Sequence, residues 1–296
     1  IEVGSTNRTR AADYEAALTT GEPEGAPGGR RATDRDAHVS AILKVHRSNF
    51  RVTGFTEETD LDHLSEVARS GGVPLIHDLG SGLMIDAAEL GLPEEPRAAE
   101  SLAAGSDVVV VSGDKLLGAT QAGILLGRAD LIERMRKNPL CRALRVDKVT
   151  LAGLEATLRL YRDPATVRSR VPTLAMLSAG VETLEERARG LAARLRESGV
   201  ECEAVEARGA VGGGTYPGVE LDSWAVELRS GQSADALAGA LRHRDPPVIG
   251  RIVDDRLRLD VRAVFPGQED DLVQRVVEEM APASQETVVD PQNPLG

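Results

Sequence analysis

A lysine that follows directly on an apolar strand is the residue with the clearest chemical potential in this sequence. Residues 108–111 are four consecutive valines, and the polar turn Ser112-Gly113-Asp114-Lys115 comes next. Ligands of open α/β sheets bind where strands end, so such a strand delivers the Lys115 amine to a position suited to Schiff-base chemistry. Because most lysines are solvated, this stretch alone favours an ordinary surface lysine.

An acid at the end of a second apolar strand strengthens the case for Lys115. Residues 74–78 form an apolar run that ends in Asp78, and the glycine-containing turn 79–82 follows. The carboxyl ends of parallel strands share one sheet edge, so both side chains are placed to flank one ligand. Enzymes that use pyridoxal phosphate (PLP) need a lysine for the aldehyde and a carboxylate that keeps the pyridine nitrogen protonated. A helix-capping Asp78 and a surface Lys115 explain the spacing about equally well.

Three further residues are candidates for the same site. The Ser112 hydroxyl is placed to donate to a phosphate, and Asp114 is placed to relay protons or to hold Lys115. An ordinary turn acid is the alternative for Asp114. His46 ends a predicted strand and is expected at the same ligand edge, whereas His77 should point away from Asp78 and pack in the core.

Basic and glycine-rich segments later in the chain offer weaker signals. Arg142 and Arg145 share a face if their segment is helical, and together with Lys148 they form a cluster suited to gripping an oxyanion. A solvated basic face is the ordinary interpretation of this cluster. Residues 211–214 (Val-Gly-Gly-Gly) resemble a phosphate cradle, but they lack the Lys-Ser/Thr of a P-loop, so we interpret them as a flexible turn.

Alternating strands and helices must position these residues. Hydrophobic periodicity predicts strands at 39–45, 74–78, 107–112 and 122–127, and helices at 61–70, near 97–104, near 129–137 and at 149–161. This alternation predicts an α/β domain with a mostly parallel, doubly wound sheet. Residues 20–36 lack an apolar period and are predicted to form a surface loop.

The order of the elements changes in the second half of the chain. One long helical tract is predicted at 171–198, followed by strands at 200–206, 223–229, 248–253 and 256–262 and helices at 233–243 and 268–280. We therefore expect a large domain over 1–170, a small C-terminal α+β domain over 171–281 and a disordered tail over 282–296.

Composition narrows the possible partners and the compartment. The chain has 296 residues, of which 41% are hydrophobic and 2% aromatic, so Leu, Val, Ile and Ala must build the core. A net charge of −12 argues against a general nucleic-acid-binding surface, although a local basic patch can still dock RNA. Two cysteines without metal spacing, and no long apolar run, favour a reducing, cytoplasmic setting.

Several longer motifs, taken together and in this order, resemble a known family. They are Glu2-Val3-Gly4-Ser5-Thr6-Asn7-Arg8-Thr9, Lys44-Val45-His46-Arg47-Ser48-Asn49-Phe50, Gly54-Phe55-Thr56-Glu57-Glu58, His77-Asp78-Leu79-Gly80-Ser81-Gly82, Ser112-Gly113-Asp114-Lys115-Leu116-Leu117-Gly118 and Arg142-Ala143-Leu144-Arg145-Val146-Asp147-Lys148. The resemblance is to bacterial selenocysteine synthases, the L-seryl-tRNA(Sec) selenium transferases. It covers the chain from residue 1 to about 280, and several long motifs in register make it specific.

This resemblance implies a fold-type-I PLP-dependent transferase. In such an enzyme Lys115 would hold the PLP cofactor and Asp78 would pair with its pyridine nitrogen. Arg142 and Arg145 match positions implicated in binding the phosphate-bearing selenium donor, and Asp114 matches an acid at the reacting centre. The family's N-terminal tRNA-binding domain and the first part of its PLP domain do not precede Ile1, so an N-terminally truncated chain is expected.

The implied reaction converts seryl-tRNA(Sec) to selenocysteyl-tRNA(Sec) with selenophosphate, through a dehydroalanyl intermediate. The family also implies a homo-oligomer, a ring of dimers with active sites at the dimer interfaces, in the cytoplasm. A related PLP-dependent lyase, such as a phosphorylated sugar-acid ammonia-lyase, is the alternative enzyme, since it would share Lys115, Asp78 and the arginines. An inactive fragment that only assembles with partner subunits is the non-enzymatic alternative.

Overall fold

The structure, a computed structural model, describes residues 1–5, 7–20 and 38–280, apart from the side chain of Thr20. The predicted surface loop over 20–36 and the predicted tail over 282–296 therefore lie outside the described residues, except for Thr20, which ends a helix. The chain divides into two compact units, Ile1–Ser178 with Val211–Val219, and Ala179–Ala210 with Glu220–Gly296. Compactness does not test independent folding, so the domain limits inferred from the sequence stay a prediction.

Unit 1 is an α/β layer structure. Its sheet has the order β1 (Ile42–Val45), β2 (Leu75–Gly80), β3 (Val108–Ser112) and β4 (Gly123–Gly127), with β1, β2 and β3 parallel and β4 antiparallel to β3. The mostly parallel sheet that the sequence predicts is thereby confirmed. Its helices and strands are α1 (Ala11–Thr20), β1 (Ile42–Val45), α2 (Leu61–Ser70), β2 (Leu75–Gly80), α3 (Ala98–Ala103), β3 (Val108–Ser112), β4 (Gly123–Gly127), α4 (Ala129–Lys137), α5 (Pro139–Leu144), α6 (Lys148–Leu160), α7 (Val167–Arg170) and α8 (Pro172–Leu177), with a 3-10 turn at Ala87–Leu90.

The helix α2 illustrates how the local sequence builds this layer. Asp60 caps its N-terminus, accepting a hydrogen bond from the backbone N–H of His63 at 2.9 Å. The apolar residues Leu64, Val67 and Ala68 recur at helical spacing and are buried. They pack in one cluster with residues of β1 and β2, which holds the helix against the sheet.

The long helical tract predicted at 171–198 is wrong, because the chain forms two helices there. The helix α8 ends at Leu177, and α9 begins at Val181. The Ser178 hydroxyl donates to the carbonyl of Leu174 at 2.8 Å, and Gly180 takes an extended conformation with ψ 145 as the N-cap of α9. Glycine has a low helix propensity, and serine competes for backbone hydrogen bonds. The helix therefore breaks at these residues, although the apolar period of the sequence continues through them.

Unit 2 has an antiparallel sheet, consistent with the predicted small α+β domain. The strand order is β5-β6-β8-β7, and the core combines one face of α9 with this sheet and the two following helices. Its elements are α9 (Val181–Glu197), β5 (Cys202–Ala210), β6 (Glu220–Leu228), α10 (Ala234–Arg242), β7 (Arg251–Val253), β8 (Arg256–Asp260) and α11 (Glu269–Met280), with a 3-10 turn at Val261–Ala263.

Two further properties concern membrane-spanning helices and the cysteines. In residues 1–5, 7–20 and 38–280, no helix is long and apolar enough to cross a membrane. Both cysteines are free thiols; Cys141 is half-buried and Cys202 is buried. Burial raises the pKa of the Cys202 thiol, so this residue behaves as a core residue rather than a reactive nucleophile.

The turn after β2 packs tightly against the end of β3. Gly82 has φ +75, and a Cβ placed on it would lie 2.4 Å from the carbonyl oxygen of Ser112. A side chain at this position would therefore be strained in its backbone and would also collide with the β3 backbone. Gly91 has a similar φ of +67, yet a Cβ placed there would meet no atom within 4 Å.

We expect Gly82→Ala to lower the free energy of unfolding by about 2–4 kcal/mol and Gly91→Ala by about 1 kcal/mol, because only the first adds a collision to the cost of a left-handed alanine. Urea unfolding of both variants and the parent chain measures this difference. Equal losses in the two variants would contradict the close packing of the two turns.

Candidate active site

Lys115 lies in a turn whose backbone is held by several hydrogen bonds. The N–H of Leu116 donates to the carbonyl of Ser81 at 3.0 Å, which ties the turn after β3 to the turn after β2. The N–H of Gly113 donates to the carbonyl of Ala122 at 2.8 Å. Leu116 and the next residue, Leu117, are buried, so the Lys115 backbone is fixed while its side chain is half-buried.

A tyrosine from α6 supports the same turn. The hydroxyl of Tyr161, just after α6, donates to the carbonyl of Leu117 at 2.9 Å. Burial raises the pKa of Tyr161 to about 12, so the hydroxyl keeps its proton and remains a donor over the physiological range. The Thr120 hydroxyl also donates to the carbonyl of Thr150 at 2.9 Å, which joins the start of α6 to the segment after Lys115.

Asp78 lies near the carboxyl end of β2, at the sheet edge where β3 ends. It pairs with Val45 of β1 and Val110 of β3, and its carbonyl accepts from the N–H of His46 at 2.8 Å. Burial alternates along β2, so Asp78 is half-buried whereas His77 points into the core. This is the orientation that strand alternation predicts for the two residues.

The structure brings Lys115 and Asp78 to the same edge of the sheet. A Cβ placed on Gly80, two residues after Asp78, would lie 3.6 Å from the Lys115 Nζ and 3.4 Å from the Ser48 Oγ. Within the described residues, neither the Lys115 amine nor the Asp78 carboxylate forms an ion pair or a hydrogen bond. An amine and a carboxylate at one edge, not joined to each other, suit two groups that bind different positions of one ligand.

Ser112 and Asp114 frame Lys115 in the sequence and lie in different surroundings. Ser112 is the last residue of β3; it pairs with Gly123 and is half-buried. Asp114 is exposed. In the part of the chain that the structure describes, neither side chain forms a hydrogen bond, so the structure shows their positions and leaves their roles as predictions.

His46 follows β1 and lies beside a buried acid. Its Nε2 atom is 3.2 Å from Oε1 of Glu95, a buried residue in the segment before α3. The sequence predicts a cofactor contact for His46, and the structure adds a buried carboxylate beside its imidazole ring.

Arg142 and Arg145 lie apart from the contacts described for Lys115. Arg142 is in α5, but Arg145 follows the helix with an extended backbone (φ −60, ψ 137), so the helical condition for a shared face holds only for Arg142. Both side chains are exposed, and among the described residues neither forms an ion pair or a hydrogen bond. They remain available to an anionic ligand.

Three residues near the site were not identified as site residues from the sequence. Ser48 lies in the motif of residues 44–50, but its residue type indicated no role at the site. Glu95 gave no signal, because its importance comes from its burial beside His46. Gly214 was interpreted as part of a flexible turn, yet a Cβ on it would lie 3.3 Å from Cε of Lys115. The run of three glycines was the sequence feature that could have indicated a close approach of this backbone to another group.

A separate cavity of about 480 Å³ lies at the other end of the unit 1 strands, where β2 and β3 begin. Arg69, Arg128 and Arg134 line it together with two acids. Arg128 binds Asp107 at 3.0 Å and Asp130 at 2.8 Å, which ties β4 and α4 to the residue before β3. These ion pairs fix the segments around the starts of the strands, whereas Lys115 and Asp78 lie at the carboxyl ends.

Comparison with known proteins identifies the family. A family model described as SelA, L-seryl-tRNA selenium transferase, matches residues 1–265. The chain belongs to the SelA family. It is 48% identical over 269 residues to the L-seryl-tRNA(Sec) selenium transferase of Solidesulfovibrio magneticus, a match that covers 89% of this chain and 54% of that protein. The proteins of the same name from Hyphomonas neptunium and Moorella thermoacetica are 46% and 44% identical, covering 90% and 94% of this chain and 54% and 56% of theirs.

These matches confirm the resemblance that the motifs indicate. This SelA-family chain spans about half the length of the curated relatives it matches. Every candidate site residue, from His46 to Arg145, lies inside the matched segment.

The fold is also shared with a solved structure. D-glucosaminate-6-phosphate ammonia-lyase matches with a TM-score of 0.56 and 21% identity over 95% of this chain and 64% of that one. At this identity the likeness concerns the fold alone. The SelA-family chain has the fold-type-I fold of PLP-dependent enzymes, and family and fold together imply PLP as the cofactor.

His77 makes a pH dependence measurable beside the site. It is 3% exposed, and its Nδ1 lies 3.0 Å from the Ser101 Oγ. Burial, and then the electrostatic influence of the neighbouring His46 and Lys44, lower the pKa of His77 to about 4. Between the ordinary pKa of about 6.5 and this value the unfolded chain binds more protons, so stability is lost as the pH falls through this window.

We expect the free energy of unfolding to fall by about 2–3 kcal/mol more between pH 7 and pH 4 in the parent chain than in His77→Gln. Denaturant titrations at several pH values measure this difference. The exposed His38→Gln is the matched control and should follow the parent chain. A parent profile that coincides with that of His77→Gln would show that His77 is not held neutral by burial.

Proposed function

We propose that this chain carries the PLP-dependent chemistry of a selenium transferase, the conversion of seryl-tRNA(Sec) to selenocysteyl-tRNA(Sec) with selenophosphate as the selenium donor. The observation that carries the proposal is that Lys115 and Asp78 lie at the same end of the parallel strands, in a chain of the SelA family. The names of the curated relatives support the reaction type.

The residues at this edge fit PLP. The cofactor needs an amine without a competing ion pair and a carboxylate in the same ligand site. The unpaired Lys115 amine and the Asp78 carboxylate at the same end of the sheet support this assignment. Lys115 would hold the aldehyde carbon, and Asp78 would pair with the pyridine nitrogen. Ser112, at the end of β3, would donate its hydroxyl to the cofactor phosphate, and His46, which lies beside the buried Glu95, would contact the cofactor.

When bound, PLP supplies an electron-accepting ring that stabilises negative charge at the substrate α-carbon. Lys115, once its amine is free and neutral, takes the proton from that carbon at Nζ. Asp78 would keep the proton on the ring nitrogen, which would maintain the electron-accepting form. The seryl β-hydroxyl would leave as water with the proton from Lys115, which gives a dehydroalanyl group. Selenium would then add to the β-carbon and a proton to the α-carbon, while water breaks the bond between selenium and phosphorus and phosphate leaves. Asp114, exposed beside Lys115, transfers protons between the reacting centre and solvent.

Arg142 and Arg145 would bind the phosphate part of selenophosphate. Two exposed guanidinium groups without partners among the described residues can meet a phosphate with several charge-assisted hydrogen bonds. Arg142 projects from α5, and Arg145 immediately follows that helix. By neutralising the phosphate, they would stabilise the negative charge that develops on it as the bond between selenium and phosphorus breaks.

The partners and setting follow from the reaction. The seryl group arrives on tRNA(Sec), which places the protein in the cytoplasm. A net charge of −12 does not oppose this, because local basic groups rather than the mean field would hold the RNA. We also propose a homo-oligomer, a ring of dimers, in which exposed apolar side chains of unit 1 such as Leu140, Leu144 and Val149 are covered.

The cofactor assignment has a direct test in the full-length protein. Borohydride reduction in the presence of PLP should fix the cofactor to Lys115, and Lys115→Ala should abolish this product. Asp78→Asn should still be fixed, but its turnover should fall at least about 100-fold, because the ring nitrogen loses its proton partner. Peptide mass spectrometry and selenium-transfer rates measure the two effects.

Lys137→Ala is the matched control, since Lys137 is exposed on α4 and bound by Glu133 at 3.2 Å. It should keep both the fixed cofactor and the rate. Fixation of PLP to another lysine, or an Asp78→Asn variant with the parent rate, would refute these two roles.

The selenium-donor assignment predicts a different kinetic change. Arg142→Ala and Arg145→Ala should each raise KM for selenophosphate about tenfold or more, with kcat affected less, because each removes ground-state binding to a phosphate. Steady-state selenium transfer with saturating seryl-tRNA(Sec) measures these constants.

Arg136→Ala should behave like the parent protein, because Arg136 is exposed and bound by Glu133 at 2.8 Å. If KM for the seryl-tRNA rises in place of KM for selenophosphate, the two arginines contact the RNA and the assignment is wrong.

A further inference from the structure

The segment Val211–Val219 joins β5 to β6, yet it belongs to unit 1. It contains the three consecutive glycines 212–214, for which the sequence predicts a flexible turn. Two buried residues follow this run, Thr215 and Tyr216, each 6% exposed. A segment that returns to the unit carrying Lys115 and buries two residues there is a built part of that unit.

Gly214 lies directly against the Lys115 side chain. A Cβ placed on Gly214 would lie 3.3 Å from Cε and 3.7 Å from Nζ of Lys115. The first distance is shorter than the usual carbon–carbon contact, so even an alanine would press on the lysine. Gly214 also has φ +83, which a glycine adopts without strain and an alanine does not.

Tyr216 anchors the segment next to this contact. Its hydroxyl donates to the carbonyl of Pro93 at 3.0 Å, and its backbone is left-handed with φ 49. A non-glycine residue in this region is strained, and such strain persists where surrounding contacts hold it. Burial, followed by the charges of Glu95 and Asp86, raises the pKa of Tyr216, so its hydroxyl remains a donor.

The Lys115 amine thus lies between two glycines from distant parts of the chain. A Cβ on Gly80 would lie 3.6 Å from Nζ, and Gly80 also has a positive φ of +74. A lysine that holds a carbonyl carbon must give it up to an incoming primary amine, and for that exchange both nitrogens must reach the same carbon. The exchange needs free space beside the lysine side chain.

We propose that Gly214 is a specificity-determining residue of the Lys115 site, which keeps the flank of the lysine open for bulky primary amines, and that the Tyr216–Pro93 contact sets the width of this opening. The proposal rests on the proposed function in one respect, that Lys115 holds the PLP carbon. It adds that the chain between β5 and β6 selects amines by size, which suits an amino acid attached to a large group.

The test compares two oxyamines that differ in bulk, hydroxylamine and O-benzylhydroxylamine. Each nitrogen forms a C=N bond to the carbon held by Lys115, while the bond to Nζ breaks and the lysine leaves as an amine, so no oxidant or reductant is required. In the PLP-loaded full-length protein, absorbance follows the rate of cofactor release. The ratio of the two rates, benzyl over unsubstituted, reports the width of the opening.

For Gly214→Ala we expect this ratio to fall about tenfold, because a methyl group occupies the flank. For Tyr216→Phe we expect the ratio to rise, because the segment loses its bond to Pro93. Gly213→Ala is the matched control: a Cβ there would meet no atom within 4 Å, and its φ is not positive, so the parent ratio should be kept.

Parent ratios in both Gly214→Ala and Tyr216→Phe would overturn the proposal. If Gly214→Ala does not fold, Tyr216→Phe decides alone, since it removes a single hydroxyl. If borohydride does not fix PLP to Lys115 in the parent protein, the proposed function itself is overturned. The two failures are therefore distinguishable.

Discussion

The candidate site depends on the hydrogen bond between the N–H of Leu116 and the carbonyl of Ser81. This bond joins the turn after β3 to the turn after β2, so the residues that leave two neighbouring strands keep a fixed separation. Gly82 makes this approach possible, because its missing side chain lets the Ser112 carbonyl come close. If the two turns moved apart, Lys115 and Asp78 would no longer be placed to flank one ligand.

Buried leucines and a tyrosine convert this local bond into a rigid support. Leu116 and Leu117 are buried beneath the turn, and Tyr161 binds the Leu117 carbonyl from the end of α6. The Lys115 side chain is left half-buried and without an ion pair in the described part of the chain. A fixed backbone with an uncommitted amine is the arrangement that covalent binding of a carbonyl group requires, because the amine must be free to react while its position is held.

Much of the fold could be predicted from local patterns. Four valines followed by a polar turn predicted β3, and apolar residues at helical spacing predicted α2 with its start at Leu61. Patterns failed where a local competitor interrupted a continuous apolar period, as at Ser178 and Gly180 between α8 and α9. The short helix α5 was also beyond the reach of periodicity, since six residues contain fewer than two helical turns.

The sequence by itself placed Asp78 near the carboxyl end of one strand and Lys115 in the turn after another, and parallel strands bring these ends together. Only the tertiary structure decided what surrounds them. Glu95 beside His46 and Gly214 against Lys115 are contacts between segments distant in the chain. Helical and strand periods describe a residue's relation to its own element, so they carry no record of which distant segment packs there. That choice is made when the elements bury their apolar faces together.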